Sequence, residues 1–352
     1  MTIVRLNAAL RRTRSCGLCA ALALAGAAAS TSANAQSTVT LYGLIDSSIE
    51  VTNPGSGYTA RLDSGAWRGS RIGIAGSEPL GNGNDLLFTL ENGFSNADGT
   101  LSTAGSLFNR QAWIGARGAW GEVRFGRQYS PLYIPFKGKL DAFGAGTIAS
   151  GLNNLSKITP YVSDAMTWLA PRVAGFSGTV MVALRDPAAA DGNGLAGYYT
   201  TLDYQFGPFE ADYARQQTHG ADALRSNLGG ISYRYAAWRA WLAFFNGDGG
   251  TPLYRGHGGS VSLQYQPSAA LAFSVGYAHV SDDSVAAGSA SQWSALVNYT
   301  MSPRLTLYGA AARLANHGAS TFTLRGVNVT GLPVAYPGAP VQGVQFGLIE
   351  RF

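Results

Sequence analysis

Past residue 35 this sequence has no cysteine: Cys16 and Cys19 are the only two in its 352 residues. The chain beyond them can form no disulfide and depend on no thiol. Charge is scarce as well. Asp, Glu, Lys and Arg make up 13% of the chain, about half the usual share of a soluble domain. Long apolar runs are missing too. No stretch after residue 35 approaches the ~18 to 20 continuous apolar residues of a membrane helix. The four histidines, His219, His257, His279 and His317, are scattered. None has a metal-ligand spacing with Cys or a second His. The Gly-rich runs Gly81-Asn82-Gly83 and Gly247 to Gly250 lack a following Lys-Ser/Thr, so no phosphate-binding loop is expected. No cofactor or metal is expected from these patterns. What the chain does have is 46 glycines and 11% aromatics. In lipid every backbone polar group must be paired, so a sheet must close on itself. A chain with few charges, much Gly and Tyr, and no long apolar run fits a membrane β-barrel.

The N-terminus reads as an export signal. Arg5, Arg11, Arg12 and Arg14 form a basic head, and Gly17 to Ala29 is an uncharged Ala/Leu-rich stretch. Ala33-Asn34-Ala35 has the small-x-small form of a cleavage site. Residues 1–35 are therefore expected to be a cleaved signal peptide and 36–352 the mature barrel domain. The Cys16-x-x-Cys19 spacing, which elsewhere suggests a redox or metal pair, leaves with the signal. So do four Arg and no acid, and the formal charge of +5 falls to about +1. The basic balance is a property of the leader and argues for no nucleic-acid partner.

The rest alternates with period two. Val39, Leu41 and Ile45 share one face of their segment, and Thr40, Tyr42 and Asp46 the other. Ile72 and Ile74 alternate with Arg71 and Gly73. Leu86, Phe88 and Leu90 form another apolar face, as do Val344, Phe346 and Leu348. Such alternation marks strands between two environments. Tight turns are expected at 79–81, 118–121, 171–175, 207–208, 236–237, 267–268 and 302–303. Longer Gly/Ser/Asp-rich links fall at 53–64, 95–107, 128–160, 186–195, 219–224, 247–256, 282–289 and 316–340. Seven short and eight long connections imply sixteen strands, with short periplasmic turns and long external loops. A soluble β-sandwich also has many short strands. Aromatics near strand ends, as at Tyr198-Tyr199, Tyr204, Phe206, Tyr233 and Tyr235, favour the membrane barrel.

Several segments resemble the Gram-negative general porins, in particular those of β-proteobacteria. These are Thr40-Leu41-Tyr42-Gly43 with Asp46, Ser70 to Glu78 with Leu80-Gly81, and Leu90 to Phe94. Phe108 to Gly115, Phe125 to Tyr129 and the terminal Phe352 continue the series. The resemblance implies an all-β fold, a 16-stranded antiparallel transmembrane barrel with an infolded third external loop, here 128–160. It implies a homotrimer in the outer membrane, in contact with lipid and lipopolysaccharide. It also implies a final aromatic, Phe352, read by the barrel-assembly machinery. The function implied is a non-enzymatic, water-filled pore through which small hydrophilic solutes and ions diffuse.

In that family wall arginines face charges on the infolded loop and bias ion passage. Arg71 and Arg110 match the basic row. Arg124 joins it by inward parity, and Arg127 lies where the strand runs into the loop. Lys137, Lys139 and Asp141 are the loop's candidates. Two departures stand out: Thr167 occupies the place of the family's usual sixth-strand arginine, and Ala142 stands where Glu is often found. Arg172 and Lys157 are near but are not assumed to replace the missing arginine. With a thin acidic side, a mild anion preference is expected. A substrate-specific channel with an aromatic track stays open as an alternative. So does an outer-membrane barrel hydrolase, on account of Asp282-Asp283 close to His279.

Overall fold

A computed structural model describes residues 37–136, 138–185 and 194–352. The expected signal peptide, Lys137 and most of the link 186–195 lie outside the described residues.

The strands are β1 (Thr38–Asn53), β2 (Thr59–Ser64), β3 (Arg71–Gly81), β4 (Asn84–Gly93), β5 (Gln111–Gly118) and β6 (Gly121–Tyr129). After a long link come β7 (Tyr161–Leu169), β8 (Phe176–Leu184), β9 (Leu195–Phe206), β10 (Phe209–Thr218), β11 (Leu224–Tyr235) and β12 (Trp238–Gly249). The chain ends with β13 (Tyr254–Tyr265), β14 (Leu271–Asp282), β15 (Gly288–Thr300), β16 (Leu305–His317) and β17 (Val341–Arg351). Two short helices, α1 (Tyr133–Phe136) and α2 (Gly151–Leu155), interrupt the link between β6 and β7.

Apart from β2 and β3, which both pair with β1, each strand pairs antiparallel with its neighbour in sequence, and β17 returns to pair with β1 from Leu44↔Arg351 to Asn53↔Gln342. The sheet has no open edge, so its ladders satisfy the backbone within lipid. β2 and β3 are two pieces of one stave. β2 pairs with β1 from Thr52↔Thr59 to Ser47↔Ser64, and β3 continues along β1 from Leu44↔Arg71 to Thr38↔Ser77. The wall therefore has sixteen staves. This corrects one boundary. Of the expected link 53–64, residues 54–58 are the connection and 59–64 are strand, and a further irregular stretch, 65–70, lies inside the second stave. Polar residues at 59, 61, 63 and 64 hide that strand from a pattern search. The first short turn is also displaced. It is Asn82-Gly83, with φ of 52° and 76°, the two left-handed residues of a tight hairpin. Pro79 lies within β3, paired with Asp85.

The alternation decides which face is which. Val39, Leu41 and Ile49 on β1 are exposed, whereas Asp46, Ser48, Glu50 and Thr52 are buried. Apolar side chains thus face outward, where lipid covers them, and polar ones face the lumen. This is the reverse of a soluble core. Rings gather at the ends of strands beside the short turns. Phe176–Tyr204 are 4.3 Å apart, Trp238–Tyr265 4.5 Å and Phe209–Tyr233 6.3 Å. They form one aromatic girdle at the membrane boundary. The chain terminus is part of the wall: Phe352 N donates to Gly43 O at 3.1 Å, and Gly43 N to Phe352 O at 3.0 Å.

Residues 130–136 and 138–160 lie against the inner face of the barrel. Ser150 caps α2, its Oγ accepting from Asn153 N. α2 packs on β13, β14 and β15. Gly151 touches Ala278 so closely that a Cβ there would sit 2.4 Å from the Ala278 Cβ. Leu132, Phe136, Leu140, Ile148, Leu152 and Leu155 are buried together with wall residues such as Phe245, Val280 and Leu314, an apolar patch where the loop packs on the inner wall.

Candidate functional site

The lumen is organised by Asp46 of β1. Inward parity buries its carboxylate, which would be costly without partners. Trp67 N and Arg68 N each donate to Oδ2 at 2.7 Å, and the Tyr308 hydroxyl donates to Oδ1 at 2.8 Å. These bonds hold the 65–70 excursion inside the barrel. The excursion then offers its own groups to two loops. Trp67 Nε1 donates to Phe143 O at 2.9 Å, and Ala66 O accepts from Thr147 N at 3.0 Å. From the last link, 318–340, Val327 N donates to Ala66 O at 2.8 Å and Asn328 N to Gly65 O at 3.2 Å. The last loop therefore enters the lumen as well, which the sequence did not indicate. It is tied to the 130–160 segment by Arg325, whose Nε donates to Asn153 O at 2.7 Å and Nη2 to Ser156 O at 3.0 Å.

The basic wall is built around Glu91 of β4, a residue that sequence reasoning did not single out. Arg110 Nε donates to Glu91 Oε1 at 2.8 Å, and Arg71 Nε lies 3.4 Å from Oε2. The hydroxyls of Tyr42 and Tyr129 donate to the same carboxylate at 2.9 and 2.8 Å. Arg110 is 1% exposed, held over the rings of Tyr129 and Tyr161 at 5.6 and 5.5 Å. Its Nη1 is buried without a partner among the described residues. Arg110 thus braces the wall and does not present a free cation to the gap. Arg71 also donates to Arg68 O and Gly69 O at 2.6 and 3.1 Å, so it too is fixed and shares Glu91's charge.

Arg124 faces inward, over the ring of Trp113 at 4.4 Å, and is paired with Glu122 at 2.5 Å. It lies three residues from the turn after β5, about 10 Å from that end of the barrel, and so below the loop. Arg127 donates to Asn109 O at 2.8 Å and Ser163 Oγ at 2.6 Å. Thr167 is buried opposite Arg124 on the neighbouring strand. On the loop, Lys139 is pinned to the opposite wall. Its Nζ lies 3.0 Å from Asp212, 3.3 Å from Asp203 and 3.4 Å from Glu210. Burial pulls its pKa down, but the Asp212 bond and the three carboxylate charges outweigh burial and leave it above the ordinary value of 10.5. Arg172 does not stand in for the missing arginine, since it pairs with Asp203 at 2.6 Å on an exposed edge.

Asp141 departs from expectation. It is 3% exposed and accepts from Phe143 N, Gly144 N, Ala145 N and Ser150 Oγ at 3.1, 2.7, 3.4 and 2.7 Å. Burial raises its pKa against these four donors. It shapes the loop tip and offers no free charge to a passing ion. The fold needs a carboxylate where the backbone turns back on itself, and local sequence could not tell that from a pore-lining acid.

Arg68, Lys157 and Arg325 on the inner loops also have no carboxylate partner among the described residues. Arg68 stacks over Trp67 at 4.8 Å and lines a cavity of about 250 Å³ with Trp67, Arg239 and Trp241 on one side of the loop. Lys157 and Arg325 line another of about 400 Å³ on the outer side. The parity of Asp46 and Glu91, opposite the apolar faces of β1 and β4, was the available signal for those two. Nothing local marked Arg68 or Arg325. His279 points outward, with Nδ1 2.9 Å from Ser291 Oγ, and Asp282 spends its carboxylate on Ser284. Among the described residues no three His, Cys, Asp or Glu side chains group as metal ligands.

Comparison with known proteins agrees with this architecture. The family model for Gram-negative porins matches residues 20–319. An outer membrane porin protein of Bordetella pertussis is 34% identical over 179 residues, 45% of each chain. Outer membrane porin protein 32 of Delftia acidovorans is 31% identical over 216 residues, 59% of this chain and 54% of that one. The chain spans about half the length of the curated relatives it matches. Among solved structures, an anion-selective porin from Comamonas acidovorans superposes with a TM-score of 0.78 at 23% identity. That likeness covers 90% of this chain and 100% of the other, and it speaks for the fold.

Proposed function

The chain belongs to the Gram-negative porin family, and on that premise we propose that it forms a passive, water-filled channel for small hydrophilic solutes and ions, with a mild preference for anions. Its apolar exterior and closed sheet suit the outer membrane. The observation that carries the anion preference is an imbalance of free charge in the lumen. The buried acids Asp46, Glu91 and Asp141 are each saturated with donors. Arg68, Lys157 and Arg325 keep their charge without a carboxylate partner among the described residues. In a narrow gap with low-dielectric walls such fixed charges act on ions far more than in bulk water. The solved relative described as anion-selective supports the same sign.

In this reading Arg71, Arg110, Arg124 and Arg127 form the braced basic wall, and Lys139 and Asp141 fix the loop that narrows the lumen. Lys137 belongs to the same loop but lies outside the described residues. Residues 1–35 are removed on export, three copies assemble in the membrane, and Phe352 is the signal recognised during barrel insertion. Purified protein in a planar bilayer under a KCl gradient tests the proposal. Large steps grouped in threes with a reversal potential of anion sign are expected. Clear cation preference would overturn the selectivity, and silent barrels would overturn the channel.

A further inference from the structure

The outer cavity has a composition that neither the wall nor the family match explains. It measures about 400 Å³, inside the ~300–1,000 Å³ range of small-molecule sites. It lies between the loop after β6, the loop after β4 and the last loop. Among the described residues its lining holds two cations, Lys157 and Arg325, and no carboxylate. Tyr133, Phe136 and Tyr161 form one side of it, and Asn153 adds an amide.

Both cations are committed only to backbone. Lys157 Nζ donates to Pro252 O at 2.8 Å. Arg325 spends Nε and Nη2 on the carbonyls of Asn153 and Ser156 at the end of α2, which leaves Nη1 without a protein partner among the described residues. Burial lowers the pKa of each: each charge is partly desolvated and lacks a full counter-charge. A neighbouring anion relieves that cost. The ring side favours a flat apolar body, and the absence of acids disfavours a cation.

We propose that this outer vestibule binds small aromatic carboxylates, the carboxylate held by Arg325 and Lys157 and the ring against Tyr133 and Tyr161. Such a site raises the local concentration of one class of solute at the mouth of an otherwise general pore. The inference builds on the anion preference proposed above but is separable from it, because chloride passage depends on the whole lumen and aromatic-acid binding on this cavity.

The test uses the full protein in planar bilayers, with benzoate, neutral benzamide and cationic benzamidine as probes. Benzoate should cause saturable current block, and benzamide and benzamidine should bind at least about tenfold more weakly, the loss expected when a charge-assisted contact is removed. Arg325→Gln and Lys157→Gln should each weaken benzoate block about tenfold, with Arg325→Lys intermediate and Arg234→Gln, at an exposed position on another element, unchanged. Equal block by benzoate and benzamide in the parent protein overturns the site, even if a variant fails to fold. So does unchanged benzoate block in both Gln variants. A cation-preferring KCl reversal potential together with benzoate block that depends on Arg325 would overturn the general anion bias and leave the site standing.

Discussion

Replacing Glu91 with glutamine separates bracing from selectivity in the basic wall. The carboxylate joins Arg110 at 2.8 Å, Arg71 at 3.4 Å and two tyrosine hydroxyls. Glutamine keeps the shape and one acceptor but leaves the buried Arg110 guanidinium uncompensated. Removing one partner of a buried pair costs about 3–5 kcal/mol, and the retained acceptor points to the lower end, about 3 kcal/mol. The change also adds one positive charge to the lumen. For an ion passing about 10 Å away, an effective dielectric of about 20 gives about 1.7 kcal/mol. Screening over a Debye length of about 8–10 Å reduces this to about 0.6 kcal/mol, near RT. Anions gain it and cations lose it, so the anion-to-cation permeability ratio should rise severalfold. Denaturant unfolding in detergent and reversal potentials under a KCl gradient read the two effects separately. If both matched the parent protein, Glu91 would be neither the brace nor the neutralising charge.

Asp46→Asn should free the 65–70 excursion by weakening two backbone bonds, at roughly 1.5–3 kcal/mol; increased open-channel noise checks it. Trp67→Ala removes a buried ring and the bond to Phe143 O, so it should cost about 3–5 kcal/mol and raise single-channel conductance. Asp141→Asn should lower the unfolding midpoint, because four donors converge on its buried carboxylate. Lys139 gives a pH dependence: its folded pKa lies above 10.5, so its tether is complete below the unfolded value near 10.4 and is lost as pH rises through the folded one. Lys139→Met should abolish that alkaline change in conductance.

How much of this could be read without coordinates depends on the range of the interaction. The outward faces of β1, β3, β4 and β17 follow from alternation alone, because successive side chains on a strand point opposite ways. Turns such as Gly207-Pro208 and Ala236-Ala237 announce themselves in residues that are adjacent in the chain. β2 does not, since its apolar face is only Ala60 and Leu62, too short a run to stand out, and the Asn82-Gly83 turn was masked by the nearby Pro79.

Few charges, no long apolar run, and period-two segments whose apolar faces must meet lipid already specify the barrel. Which charges are free depends on contacts that form between distant parts of the folded chain. Glu91 pairs with the arginines at positions 71 and 110, and Asp46 holds a segment more than twenty residues away. Arg325 reaches α2 across 172 residues of chain. A carboxylate neutralises whatever folding brings within a few ångströms of it, and the local pattern carries no record of that distance.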